Sequence, residues 1–178
     1  MNLETVNPRA VNPGAVNLKI APLNLAEPAQ AEAWLALLDH YAHDRMGGGA
    51  GLSDYAKANL VDALNAQPTF HGALAFAGQK AVGLINCFTG FSTFAAQPLL
   101  NIHDIVVHAD LRGRGIGQAL LLWAEQRARQ LGCCKLTLEV LANNTRAMAS
   151  YAQAGFAPYE LDPAAGQALL MQKYLSEV

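Results

Sequence analysis

Residues 101–117 read NIHDIVVHADLRGRGIG, and the order of elements in this stretch decides the fold. Ile102, Ile105, Val106 and Val107 are β-branched and bunched too closely for a helical stripe, so the segment begins as a strand. It leaves the strand at His108–Leu111 and enters Arg112-Gly113-Arg114-Gly115-Ile116-Gly117, where three glycines make the backbone pliable. A helix follows at once. QALLLWAEQRARQLG sets Leu120, Leu121, Trp123, Ala124, Ala128 and Leu131 near helical spacing, and Gly132 suits its stop. Strand, glycine turn and helix N-terminus together offer backbone N–H groups and a positive dipole end to an anion. Arg112 and Arg114 in the same turn favour a phosphorylated ligand over a carboxylate.

Spacing narrows that ligand. A dinucleotide fingerprint needs G-x-G-x-x-G early in a βαβ unit with an acid about 20 residues on, and a Walker loop needs G-x-x-x-x-G-K-[ST]. Neither run occurs. What the turn matches is R-x-x-G-x-G, read as Arg112, Gly115 and Gly117. Taken alone, these six residues would also suit a structural turn with solvated arginines. One strand further on stands Asn144-x-x-Ala147-x-x-x-Tyr151-x-x-x-Gly155-Phe156, whose first three marked positions share one helix face. The two motifs, in this order with a strand-sized gap, resemble the GNAT superfamily of N-acetyltransferases, and IHDIVVHADLRGRGIG is similar to bacterial members allied to histone and polyamine acetyltransferases. The resemblance is tight over residues 100–160, extends over 17–99 in element order only, and leaves out 1–16.

Working outward, 178 residues make about one domain with room for a sizeable core. A net charge of −2 gives no footprint for nucleic acid, no apolar run has membrane-spanning length, and no signal peptide stands at the start. Cys87, Cys133 and Cys134 are an odd number with two adjacent, which suits buried reduced thiols in a cytoplasmic protein better than a disulfide or metal site.

Residues 1–16, with Val-Asn recurring at Val6, Val11 and Val16, read as a flexible N-terminal leader, and 17–178 as a single domain. A strand is expected near Val16–Ala21 and a helix from Ala29 to Arg45, opened by Pro28, with Trp34, Leu35, Leu38 and Tyr41 inward. Gly47–Gly51 reads as a hinge. Ser53 caps a second helix through Ala66, closed by Pro68. Strands Thr69–Ala77 and Lys80–Thr89 flank Gly78-Gln79, and Phe91–Phe94 with Pro98 interrupt before the central strand. Lys135–Leu141 is the next strand, Arg146–Ala154 a helix capped at Asn143-Asn144-Thr145, and Phe156–Leu161 and Ala168–Tyr174 two last strands. The class is α/β: a central mixed sheet of about six to seven strands with helices on both faces.

The resemblance implies an acetyl-coenzyme A-dependent N-acetyltransferase whose acceptor is a primary amine of a small molecule or protein, needing no metal. It also implies that the strand before the glycine turn bulges, so that Ile105, Val106 and Val107 offer backbone bonds to the pantetheine arm. Arg112, Gly113, Arg114, Gly115, Ile116 and Gly117 would cradle the pyrophosphate through their peptide N–H groups. Asn144 would bond near the pantetheine, and Tyr151, a phenol with an unperturbed pKa of about 10, would protonate the leaving thiolate. For the base, His103 has a neutral imidazole suited to taking an amine proton, with Asp104 beside it and Glu139 on the next strand as further candidates. Strand alternation puts His103 and Asp104 on opposite faces unless the strand bulges. His40, His43, His71 and His108 read as surface or loop residues. The acceptor site would draw on Gly47–Gly51, Phe91–Pro98 and Tyr41. An acyl-coenzyme A-binding or sensing module without turnover is the alternative, and a homodimer is one oligomeric state left open.

Overall fold

The computed structural model describes residues 17–160, 162, 164, 166 and 168–175; the leader expected at 1–16 lies outside them. The chain divides into two compact units, with the boundary between Leu138 and Glu139.

The first unit is built on one five-stranded sheet: β1 (Leu18–Pro22), β2 (Phe70–Ala77), β3 (Lys80–Ser92), β4 (Gln97–Val107) and β5 (Leu136–Leu138), in that spatial order. Neighbours are antiparallel except β4 and β5, which are parallel. Helices cover both faces, as alternation along β3 shows. Leu84 joins the core cluster of Trp34, Leu37, Leu38 and Val106 under α1 (Pro28–Ala42). Its neighbour Gly83 faces Ile116 and Leu120 of α3 (Ile116–Gln130). A Cβ at Gly83 would stand 2.8 Å from the Val106 carbonyl oxygen and 3.3 Å from Leu120 Cδ1, so glycine lets α3 lie close on the sheet. Trp34, Leu74, Ile85, Leu100 and Leu120 are fully buried, so the core of this unit lies between the sheet and its helices.

α1 stops at Ala42, short of the expected Arg45, because the chain turns back onto its own last turn. Gly49 and Gly51 N–H groups donate to the Ala42 carbonyl at 2.9 and 3.1 Å. At Gly47 a Cβ would collide with the Tyr41 carbonyl. The glycine run expected as a hinge is therefore a fitted turn. Ser53 caps α2 (Asp54–Asn65) as expected, its hydroxyl accepting from the Ala56 N–H. Phe91 and Pro98, expected as an interruption, instead pair across the β3–β4 ladder, with the turn displaced to residues 93–96.

The described residues of the second unit include the helix α4 (Thr145–Gln153). Residues 156–160 and 168–174 carry no strand, and Leu161 lies outside the described residues. A strand needs a ladder as well as β-prone residues, and Leu169, Leu170 and Met171 are more than four-fifths exposed. The sheet thus has five strands among the described residues rather than six to seven.

Candidate active site

The register of β4 against β3 contains the feature that shapes the site. Asn86 pairs with Asp104 and Cys87 with Ile102, which leaves His103 as an extra residue, a β-bulge. Its effect is to put two side chains on one face. The His103 ring meets Phe88 edge-on at 5.6 Å, and Asp104 Oδ2 accepts from Asn86 Nδ2 at 3.0 Å. Phe88 and Asn86 lie two apart on β3 and share the face covered by α1, so imidazole and carboxylate stand side by side there. Uninterrupted alternation would have separated them.

Past the bulge, β4 has no ladder partner on its β5 side among the described residues. β5 pairs with it only at Leu100, Asn101 and Ile102. The His108 N–H donates to the Val82 carbonyl at 2.9 Å, which sets the phase of the β3–β4 ladder. In that phase the peptide groups of Val106 turn toward β3, and those of Ile105 and Val107 turn outward. The Val107 carbonyl already accepts from Arg112 Nε at 3.2 Å. Of the three residues expected to line the edge, Val106 is buried in the core, while Ile105 and the Val107 N–H face outward.

The glycine turn leaves β4 through a short 3-10 turn, Ala109–Leu111. Gly113 and Gly115 have φ of 82° and 81°, the left-handed region where a side chain is strained. Gly115 is the N-cap of α3 and has no side chain to satisfy its first turn. The first helical bond is from the Ala119 N–H to the Gly115 carbonyl, so the Ile116 and Gly117 N–H groups precede the ladder. A Cβ at Gly115 meets nothing within 4 Å, and one at Gly117 only Val107 Cγ2 at 4.0 Å. N–H groups at a helix start, with no side chain at Gly113, Gly115 or Gly117, fit a diphosphate.

Arg112 is bonded within the chain itself. Its N–H donates to the Ala109 carbonyl, and its Nη2 holds Asp44 Oδ2 at 2.8 Å. Asp44 also accepts from the Met46 N–H, and that bond first, then Arg112, keeps its carboxyl below the usual range. Arg112 is thus a strut between the turn after α1 and the end of β4, and Arg114 is the exposed arginine of the pair.

The second motif is built from helix caps. Asn144 Oδ1 accepts from the Ala147 N–H at 3.2 Å at the start of α4. At its end Gly155 has φ 89°, the Gly155 N–H donates to the Ala152 carbonyl and the Phe156 N–H to that of Tyr151. The Tyr151 and Phe156 rings touch at 6.1 Å, the hydrophobic contact that accompanies a Schellman stop. Glu139 lies one residue past β5 rather than on it. Asn144, Tyr151 and Glu139 belong to the second unit, while His103, Asp104, Ile105 and the glycine turn belong to the first.

With this geometry in place, comparison with known proteins is decisive: the model of the acetyltransferase (GNAT) family matches residues 33–156. The chain belongs to the GNAT family. Among curated GNAT relatives, an aminoalkylphosphonate N-acetyltransferase of Salmonella typhimurium is 39% identical over 75 residues, 42% of this chain and 46% of that protein. A streptothricin acetyltransferase of Streptomyces lavendulae is 38% identical over 89 residues, 50% of this chain and 47% of that one. The chain thus matches about half the length of these relatives. The fold is similar to that of an aminoglycoside acetyltransferase from an uncultured soil metagenomic sample, with a TM-score of 0.69 at 18% identity over 90% of this chain and 97% of that one.

Several other titratable groups of this GNAT chain have surroundings of their own. His71, expected on the surface, is in β2, bonded to Thr89 Oγ1 at 2.8 Å and to Arg127 Nη2 at 3.2 Å. Burial first, then Arg127, lowers its pKa. His40 and His108 stack at 4.6 Å, and His43 Nδ1 bonds to the Asp39 carbonyl. The Cys87 thiol is buried and pushed up to about 12, by burial and then by Asp104, whereas Cys134 is exposed, so the three cysteines are not alike. Among the described residues no cluster of three or more His, Cys, Asp or Glu could hold a metal, and no helix is long and apolar enough to cross a membrane. Two contributors escaped the sequence reading: Asp44, partner to Arg112, and Asn86, partner to Asp104. An asparagine inside VGLINCF was the available signal for the second.

Proposed function

We propose that the protein is an acetyl-coenzyme A-dependent N-acetyltransferase that acylates a primary amine. The observation that carries this reading is the pairing of a left-handed glycine turn, uncapped at α3, with a bulged strand whose edge opens past Ile102. Family membership and the named activities of the matched relatives support it. The bound thioester supplies an activated acetyl carbon, and everything else is asked of this chain.

Gly113, Arg114, Gly115, Ile116 and Gly117 hold the diphosphate by their N–H groups, with the exposed Arg114 adding charge. Ile105 and Val107 offer outward peptide groups to the pantetheine, and one of their N–H groups can steady a developing oxyanion. His103, exposed on the α1 face of the bulge, takes a proton from the acceptor ammonium and leaves the nitrogen lone pair to attack. Tyr151 returns a proton to the departing sulfur, Asn144 both caps α4 and bonds near the pantetheine, and Glu139 is a second proton acceptor. The family match runs across the Leu138–Glu139 boundary, which supports reading 17–178 as one working domain. The same reading places the enzyme in the cytoplasm, with a small molecule or protein amine as acceptor and a homodimer as one assembly to test.

Thiol release from acetyl-coenzyme A, followed with and without a panel of amines, tests the proposal. Amine-dependent release supports it; tight coenzyme binding with no release to any amine indicates a binding module instead.

A further inference from the structure

Asn86 is the one buried polar residue among the described residues, 2% exposed in the middle of an apolar strand. A polar amide at such a site is unfavourable unless both of its ends are bonded. Here both are. Trp34 Nε1, an obligate donor, stands 2.8 Å from Asn86 Oδ1, which fixes the orientation of the amide. Nδ2 is thereby aimed at Asp104 Oδ2, 3.0 Å away. The relay runs from a fully buried indole on α1, through β3, to a half-buried carboxylate at the β4 bulge beside His103.

The charges nearby show what that carboxylate lacks. Asp39 is paired with Lys57 at 3.1 Å, and Asp44 with Arg112 at 2.8 Å. Among the described residues no lysine, arginine or histidine stands within ion-pair distance of Asp104. Its charge reaches the Tyr41 phenol, whose pKa is raised by burial first and by Asp104 next. One oxygen of Asp104 is anchored by Asn86, and the other has no cation to neutralise it.

We propose that Asn86 is a positioning residue: with Trp34 Nε1 it pins Asp104 so that its second oxygen receives the ammonium of a cationic small-molecule acceptor beside His103. This rests on the transferase reading and narrows its substrate class. A carboxylate held at the reacting nitrogen favours acceptors with further positive charge, such as polyamines. It disfavours an amine with an anionic group close by, because a phosphonate would meet Asp104 as a like charge. The proton then passes from the ammonium to the His103 imidazole, giving a neutral amine and an imidazolium.

The test is steady-state thiol release with spermidine and with 2-aminoethylphosphonate. The wild type should prefer spermidine in kcat/KM, and Asp104→Asn should raise the spermidine KM by about 30-fold, the loss of a charge-assisted bond. Asn86→Leu should raise it by about ten-fold and Trp34→Phe by about three-fold, with the acetyl-coenzyme A KM moving in neither. If Asn86→Leu does not fold, Trp34→Phe and Asp104→Asn carry the test. Preference for the phosphonate, or parallel shifts in both KM values, overturns the positioning role while leaving transfer intact. A wild type that releases thiol with neither of these nor with any other amine overturns the transferase reading itself.

Discussion

Gly115 and Gly155 share a left-handed backbone, φ 81° and 89°, and both stand at helix ends within the two motifs. They do opposite things. Gly155 closes α4: its own N–H and that of Phe156 are consumed by the carbonyls of Ala152 and Tyr151. Gly115 opens α3 with no side-chain cap, and the Ile116 and Gly117 N–H groups precede the helix's own ladder. The same conformational freedom stops a chain in one place and presents a binding surface in the other. A motif residue is therefore informative about ligands only after its local hydrogen bonds have been assigned.

Substitutions can sharpen or break that contrast. Gly115→Val should weaken coenzyme A binding by at least ~100-fold, about 2.7 kcal/mol, because the side chain strains a positive φ and enters the cradle. Far-UV circular dichroism should show the fold retained, and unchanged affinity by calorimetry would remove Gly115 from the site. Tyr151→Phe keeps the ring on Phe156 and should lower kcat by about 100-fold with little change in coenzyme affinity. A matching fall in thermal stability would make the hydroxyl structural. Gly155→Ala should do the reverse, costing about 1 kcal/mol in denaturant unfolding with coenzyme affinity unchanged.

The two arginines of the first motif divide in the same way. Arg112→Ala should lower stability by about 1–2 kcal/mol, since it strips the Asp44 pair and the bond to the Val107 carbonyl. Arg114→Ala should leave stability alone and weaken coenzyme binding a few-fold, with a smaller salt dependence. The smallest effect is on pH. Asp44 titrates below its ordinary value of 3.8 in the folded chain, so its contribution is complete above that value and is lost as pH falls through the lower folded one. Asp44→Asn should flatten that part of the acid-unfolding curve.

How far the sequence was legible follows from the range of the interactions. Strand, glycine turn and helix over 101–132 are local, and they stand as read, as do the caps at Ser53 and Asn144. The bulge at His103 was beyond reach from the residues alone because it is a property of two strands in register, and only the family resemblance suggested it. Arg112 and Asp44 lie 68 residues apart, and no local pattern announces such a pair. The final strands failed for a related reason: β-prone composition at 168–174 says nothing about a ladder partner.

The most direct measurement is a titration of uniformly 15N-labelled protein with coenzyme A, following backbone amides by NMR. Saturable binding with the largest shifts at the amides of Gly113, Gly115, Ile116 and Gly117 is the expected result. Binding that leaves those amides unmoved, or no binding at all, would contradict the glycine turn as the diphosphate cradle.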